Sequence, residues 1–108
     1  MLATIYGSFL SSKPFRDVDI AIFTGYSISF IDVGSYEEEI SLSIEDLVSL
    51  PIDVKVIDYA PPWFRVTALG GLVIVEKIPC LAVILKFKSL QEVNDFEVKK
   101  RKIYLLFR

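Results

Sequence analysis

Asp17-Val18-Asp19 places two carboxylates two residues apart at the start of an apolar run, DVDIAIF. On an extended chain alternate side chains share a face, so Asp17 and Asp19 point the same way. Asp53 opens a second alternating run, IDVKVI, with Asp53 and Lys55 on one face and Val54 and Val56 on the other. If these two strands are neighbours, three carboxylates converge at one end of a sheet. Crowded carboxylates are costly unless they are paired or hold a cation. With no His or Cys among them, the oxygen-preferring ions Mg²⁺ or Mn²⁺ are the expected ligands, and Mg²⁺ commonly shares carboxylates with substrate phosphates. Gly7-Ser8 lies one short loop upstream. A glycine lets the backbone approach a phosphate, and backbone N–H groups with the Ser8 hydroxyl can donate to it. Lys13 and Arg16 in the same loop offer cations to phosphate charge. Taken singly these are common features, since an Asp-x-Asp is usually a solvated strand end. Their order carries the information.

Composition sets the limits on that chemistry. The 108 residues are 53% hydrophobic, enough for one domain with a core spanning 1–108. Twelve lysines and arginines against 14 acids give a net charge of −2, which argues against nucleic-acid binding by bulk electrostatics. The absence of histidine excludes His-based acid/base catalysis, Ser-His-Asp triads and nearly all zinc sites. Cys80 is the only cysteine, so no intrachain disulfide forms. Within IPCLAVIL it reads as a buried small hydrophobe. The start shows no signal-peptide pattern and LAVIL is too short to span a bilayer, so a cytoplasmic protein without membrane contact is expected.

The elements that must position the acids follow from periodicity. LATIYG is a strand ending at a glycine turn. DVDIAIF alternates, with Val18, Ile20 and Ile22 opposite Asp17, Asp19 and Ala21. TGYSISFIDVGSY reads as irregular or a weak edge strand. Ile40, Ile44, Leu47 and Val48 have helical spacing in YEEEISLSIEDLVSL, with acids early in the run and Pro51 just beyond its end. IDVKVIDY is a strand, PPWFRVTAL a short helix closed by Gly70-Gly71, and LVIVE another strand. LAVILKF fits a buried strand or a buried helix. Beyond it Leu90, Val93, Phe96 and Ile103 on one side favour a helix. The expected fold is α/β, a small mixed sheet with helices packed on it.

This arrangement resembles the minimal nucleotidyltransferase domains of the DNA polymerase β-like superfamily. Tyr6-Gly7-Ser8, Asp17-Val18-Asp19-Ile20 and Ile52-Asp53-Val54 match that family's Gly-Ser, Asp-x-Asp and later Asp in order and in predicted structure. DYAPPWFRVTALGGLVIVE resembles the segment after the third Asp, and DFEVKKRKIYLLF the closing helix. The resemblance covers nearly the whole chain. It implies that Gly7 and Ser8 hold a triphosphate, that Asp17 and Asp19 bind metal ions, and that Asp53 assists or activates the attacking hydroxyl. The implied reaction transfers a nucleoside monophosphate, AMP from ATP, to a hydroxyl acceptor. Small stand-alone domains of this kind occur as antitoxins beside HEPN-type toxins, which implies a HEPN-type partner and a toxin tyrosine as acceptor.

Two departures bear on this expectation. The loop from Ser8 to Asp17 is two residues shorter than the family's usual ten, and the chain enters directly at the first strand, lacking the usual N-terminal helix. One face of the sheet is therefore expected to need a partner or a second copy, making the protein a homo-oligomer or an obligate subunit. A second functional reading is a catalytically inactive nucleotide-binding or protein-interaction subunit. The basic run Lys99–Lys102 reads first as a solvated helix face near a C-terminus, and second as a contact for an acidic partner or RNA. Trp63-Phe64 reads as core, or as an aromatic beside Asp53 able to stack on a base.

Overall fold

A computed structural model describes residues 1–7 and 17–107. The strands are β1 (Leu2–Tyr6), β2 (Val18–Phe23), β3 (Ile52–Val56) and β4 (Leu72–Glu76). The helices are α1 (Val33–Val48), entered through a 3-10 turn at Phe30–Asp32, α2 (Pro62–Leu69) and α3 (Leu81–Phe107). The strands form one sheet in the order β3-β2-β1-β4. β1 runs antiparallel to β2 and β4, and β2 runs parallel to β3. A parallel pair needs a crossover, and α1 supplies it.

Alternation along the strands separates two cores. Ala3, Val18, Ile20, Ile22, Ile52 and Val54 face α1, where Tyr36, Ile40 and Ile44 pack on them. Leu2 and Ala21 face the other way, against Ala68 and Leu69 of α2 and Ala82 of α3. α1 does not cover its whole face. An apolar groove of about 280 Å³ remains open between Ile44, Val48 and the strand residues Ile5, Ile20 and Ile74.

β3 is an edge strand, and its outward N–H groups would lack partners. Glu45 Oε1 accepts from Ile52 N at 2.9 Å, and Glu37 Oε2 accepts from Val56 N at 2.8 Å. The acids of α1 thus seal the sheet edge. On the opposite core, the buried Thr4 hydroxyl donates to Ala68 O at 2.9 Å and ties β1 to α2. Gly71 allows the chain to re-enter the sheet there, because a Cβ would run into Ile5 O. Beyond β3, Asp58 is only 3% exposed. It accepts from Thr24 N and Thr24 Oγ1, each at 2.9 Å, and from Tyr26 N at 2.7 Å. That carboxylate fixes the turn in which Tyr26 holds a φ of 63°.

Three expectations are corrected. α1 begins at Val33 rather than near Tyr36, so Glu37 to Glu39 lie past its first turn. Cys80 is exposed, not buried. It sits at a φ of 63° in the turn before α3, with its N–H donating to Glu76 Oε1. Trp63 is 62% exposed, and only Phe64 of the pair packs on the core. Pro62 starts the helix, and the inward stripe runs through Phe64, Ala68 and Leu69, which turns Trp63 outward. The stretch that fitted either a strand or a helix is one long helix, α3.

Replacing Asp58 by Ala removes one acceptor for three donors in a partly buried turn. We expect a loss of about 3 kcal/mol in unfolding free energy. The urea midpoint should fall with an unchanged denaturant slope.

Candidate functional site

The parallel β2–β3 ladder decides where the acids meet. Its register sets Asp19 directly beside Asp53 and Val18 beside Ile52. The antiparallel β1–β2 ladder sets Tyr6 beside Asp19. Val18, Ile20, Ile52 and Val54 belong to the α1 core, so Asp19 and Asp53 project on the opposite face, at the end of the sheet where β2 and β3 begin. Asp17 stands one residue before β2, in a bend, and is exposed.

Gly7 closes this end of the sheet. Its φ is +81°, and a Cβ built on it would lie 2.6 Å from Asp19 Oδ2. Only glycine lets the backbone turn here while the Asp19 carboxylate lies against it. The Asp53 carboxylate has a loose, solvated ion pair with Lys55 at 3.9 Å. Such a pair contributes little. Tyr6 is half-buried, and its ring meets Phe64 edge-to-face at a centroid distance of 5.8 Å.

The electrostatics reflect this crowding. The Asp19 carboxyl is pushed above the ordinary carboxylate value, first by burial and then by the negative charges of Asp53 and Asp17, with Lys55 acting in the opposite direction. The Tyr6 phenol is pushed up to about 12 by burial, then by Asp19, Asp53 and Glu37. It is fully protonated at neutral pH.

The pairing of Asp19 with Asp53 follows the sequence expectation, and Asp17 lies at the same sheet end. The three do not close into a compact cluster: among the described residues no three acids are gathered as a ready-made metal site. Like charges repel, Asp53 leans to Lys55, and Asp17 lies outside the ladder. The donor set nevertheless fits a hard cation. It consists of carboxylate oxygens, and one carboxyl, Asp19, is raised by burial and then by its like-charged neighbours, a repulsion that a divalent ion relieves. Ser8, Lys13 and Arg16 lie outside the described residues. Sequence reasoning passed over Tyr6 as a neighbour of the acids. The antiparallel register of β1 against β2 brings it there.

Solved structures share this architecture. One from a toxin–antitoxin MntA–HpeT mutant superposes with a TM-score of 0.75 at 12% identity, over 95% of this chain and 81% of that one. A toxin–antitoxin structure with AMP-PNP gives 0.74 at 12% identity, over 95% and 82%. A complex of the tri-AMPylated Shewanella oneidensis HEPN toxin with its MNT antitoxin gives 0.69 at 12% identity, over 95% and 78%. The fold is that of a minimal nucleotidyltransferase. No protein-family model and no curated protein matches the chain by sequence. In this nucleotidyltransferase fold, the Gly7 turn and the Asp19–Asp53 pair share one end of the sheet.

Two outcomes follow for this site. Asp19 has a raised folded-state pKa, so the folded chain holds its proton more tightly than the unfolded one. Stability contributed by that proton is present at low pH and lost as pH rises through the raised value. Asp19→Asn should therefore unfold at a higher temperature than wild type at neutral pH without divalent ions, and the difference should shrink as pH falls below the ordinary carboxylate range. Gly7→Ala should cost about 1–2 kcal/mol from backbone conformation alone, and more if Asp19 cannot move aside. Thermal scans across pH check both.

Proposed function

We propose that this chain is a metal-dependent nucleotidyltransferase that moves AMP from ATP to a hydroxyl on a protein partner of the HEPN type, as an antitoxin would. The single observation that carries the reading is the direct apposition of Asp19 and Asp53 on adjacent parallel strands beneath the Gly7 turn. The fold shared with toxin–antitoxin structures, one of them with AMP-PNP, supports the partner and the nucleotide.

In this reading Asp17, Asp19 and Asp53 hold Mg²⁺ or Mn²⁺ through carboxylate oxygens. The bound cation supplies charge neutralisation on the triphosphate and acidifies the attacking hydroxyl. Gly7 offers a backbone surface that a phosphate can approach, since no Cβ intervenes. Ser8 donates to the phosphates, and Lys13 and Arg16 contribute positive charge to them. The acceptor oxygen attacks the α-phosphorus, the bond from that phosphorus to the bridging oxygen breaks, and pyrophosphate leaves. Asp53 receives the hydroxyl proton in this reading, because its side chain is 45% exposed and faces away from the α1 core. Tyr6 stays protonated, and its ring with Phe64 forms an apolar wall beside the acids.

The experiment is pyrophosphate release from Mg²⁺-ATP with a co-expressed HEPN-type protein as acceptor, alongside nucleotide binding by calorimetry. Asp17→Asn with Asp19→Asn should lower transfer more than about 100-fold, the scale for removing transition-state charge stabilisation. Asp53→Asn should abolish transfer while leaving most nucleotide binding. Nucleotide binding without transfer in the wild-type protein would favour the inactive-subunit reading. Transfer that survives the Asp17/Asp19 replacement would overturn the site.

A further inference from the structure

Among the described residues, the second half of α3 is not packed against the body of the domain beyond the pocket that Phe96 and Glu97 help to line. Ala82 and Ser89 are buried, and Leu85, Glu92 and Val93 are half-buried against the body of the domain. From Asn94 to Phe107 every residue is exposed. That is about four turns of helix standing in solvent. Isolated helices of such length are marginal in water, and most helices in proteins are stabilised by a packed apolar face. This segment has the apolar residues for one. Phe96, Lys100, Ile103 and Phe107 continue the inward stripe of Leu85, Ser89 and Val93 at three- and four-residue steps, with Lys100 the one charged member.

Two further observations identify the occupant. First, an apolar pocket of about 240 Å³ lies where α2 begins, lined by Pro62, Trp63, Val93, Phe96 and Glu97. It sits where the covered half of α3 gives way to the bare half, and it accounts for the outward Trp63. Second, the charges of the bare half are divided. Asp95 and Glu97 come first, and Lys99, Lys100, Arg101 and Lys102 follow within two turns. A parallel neighbour of the same sequence would set bases against bases. An antiparallel copy sets Asp95 and Glu97 of each helix against the basic run of the other. The same pairing carries the apolar end, Ile103 to Phe107, towards the other chain's Trp63 pocket.

We propose that two copies of this chain associate about a two-fold axis through the 94–107 segments of α3, packed antiparallel, with the apolar end of each helix in the Pro62–Trp63–Val93–Phe96 pocket of the other. A two-fold interface is self-complementary, and this segment meets that requirement in both charge and shape. The basic run then serves dimer register rather than a solvated helix end. Lys100, on the same stripe as Phe96, reaches the aromatic ring of the facing helix.

This inference is independent of the nucleotidyltransferase reading, and one set of samples separates the two. Light scattering with size-exclusion chromatography should give twice the chain mass for wild type. Ile103→Ser with Phe107→Ser should give a monomer with an unchanged near-ultraviolet spectrum in the Trp63-independent region, since both residues are exposed and no core depends on them. Lys99→Glu with Arg101→Glu should also give a monomer. Adding Asp95→Lys and Glu97→Lys to that variant in the same chain should restore the dimer, because the two new bases then face the two new acids of the other helix. A monomeric wild type, a dimer untouched by the serine replacements, or a charge-reversed chain that fails to recover would overturn the proposal. Nucleotide binding measured on the same samples reports on the sheet end alone, and Asp19→Asn should leave the mass unchanged.

Discussion

The parallel pairing of β2 with β3 is the constraint on which the rest depends. It sets Asp19 beside Asp53 at the sheet end and requires α1 as the crossover. It also leaves β3 at the edge, where Glu37 and Glu45 of the same crossover helix take up its outward N–H groups. A slip of one residue in either strand would send its aspartate into the α1 core and its aliphatic side chains out of it. The apolar alternation on one face therefore holds the acids together on the other. Burial of six aliphatic side chains against α1 offsets the repulsion of two carboxylates.

The fold places its polar fixtures at opposite ends of these strands. At the entry end, Gly7 and Asp19 lie in contact and the acids face solvent and one another. At the exit end, Asp58 is buried and fully engaged by Thr24 and Tyr26. A carboxylate with three donors is a structural joint, while Asp19 is raised by burial and then by its like-charged neighbours Asp53 and Asp17. The two kinds of aspartate are separated by their hydrogen bonds rather than by their place in the sequence.

Much of this was legible before any coordinates. Strict alternation in DVDIAIF and IDVKVI fixed which residues turn inward, and the Gly-Ser and Asp-x-Asp order indicated the shared sheet end. The element order also followed from periodicity. The errors have physical causes. Cys80 lies in an apolar run, yet the run straddles a turn and the start of a helix, so its inward face cannot be read by hydrophobicity. Trp63 is apolar but sits at the first turn of α2, where the inward stripe has not begun. The edge-sealing role of Glu37 and Glu45 was hidden because acids near a helix start also suit its dipole. The convergence of three acids was overstated, since Asp17 precedes the strand and follows no ladder. Residues 8–16, which hold Ser8, Lys13 and Arg16, lie outside the described structure and stand on sequence alone.

Under the proposed function, the sheet end bearing Gly7, Asp19 and Asp53 takes a divalent cation together with a nucleotide. Paramagnetic broadening tests it most directly. Isotope-labelled protein is titrated with Mn²⁺ in the presence of a non-hydrolysable ATP analogue, and amide signals are followed residue by residue. The expected result is selective loss of signals around Tyr6–Gly7, Asp17–Ile20 and Ile52–Val54, reversed by excess Mg²⁺ and absent in Asp19→Asn. Broadening centred instead on the exposed acids of α1, or spread evenly over the surface, would contradict it.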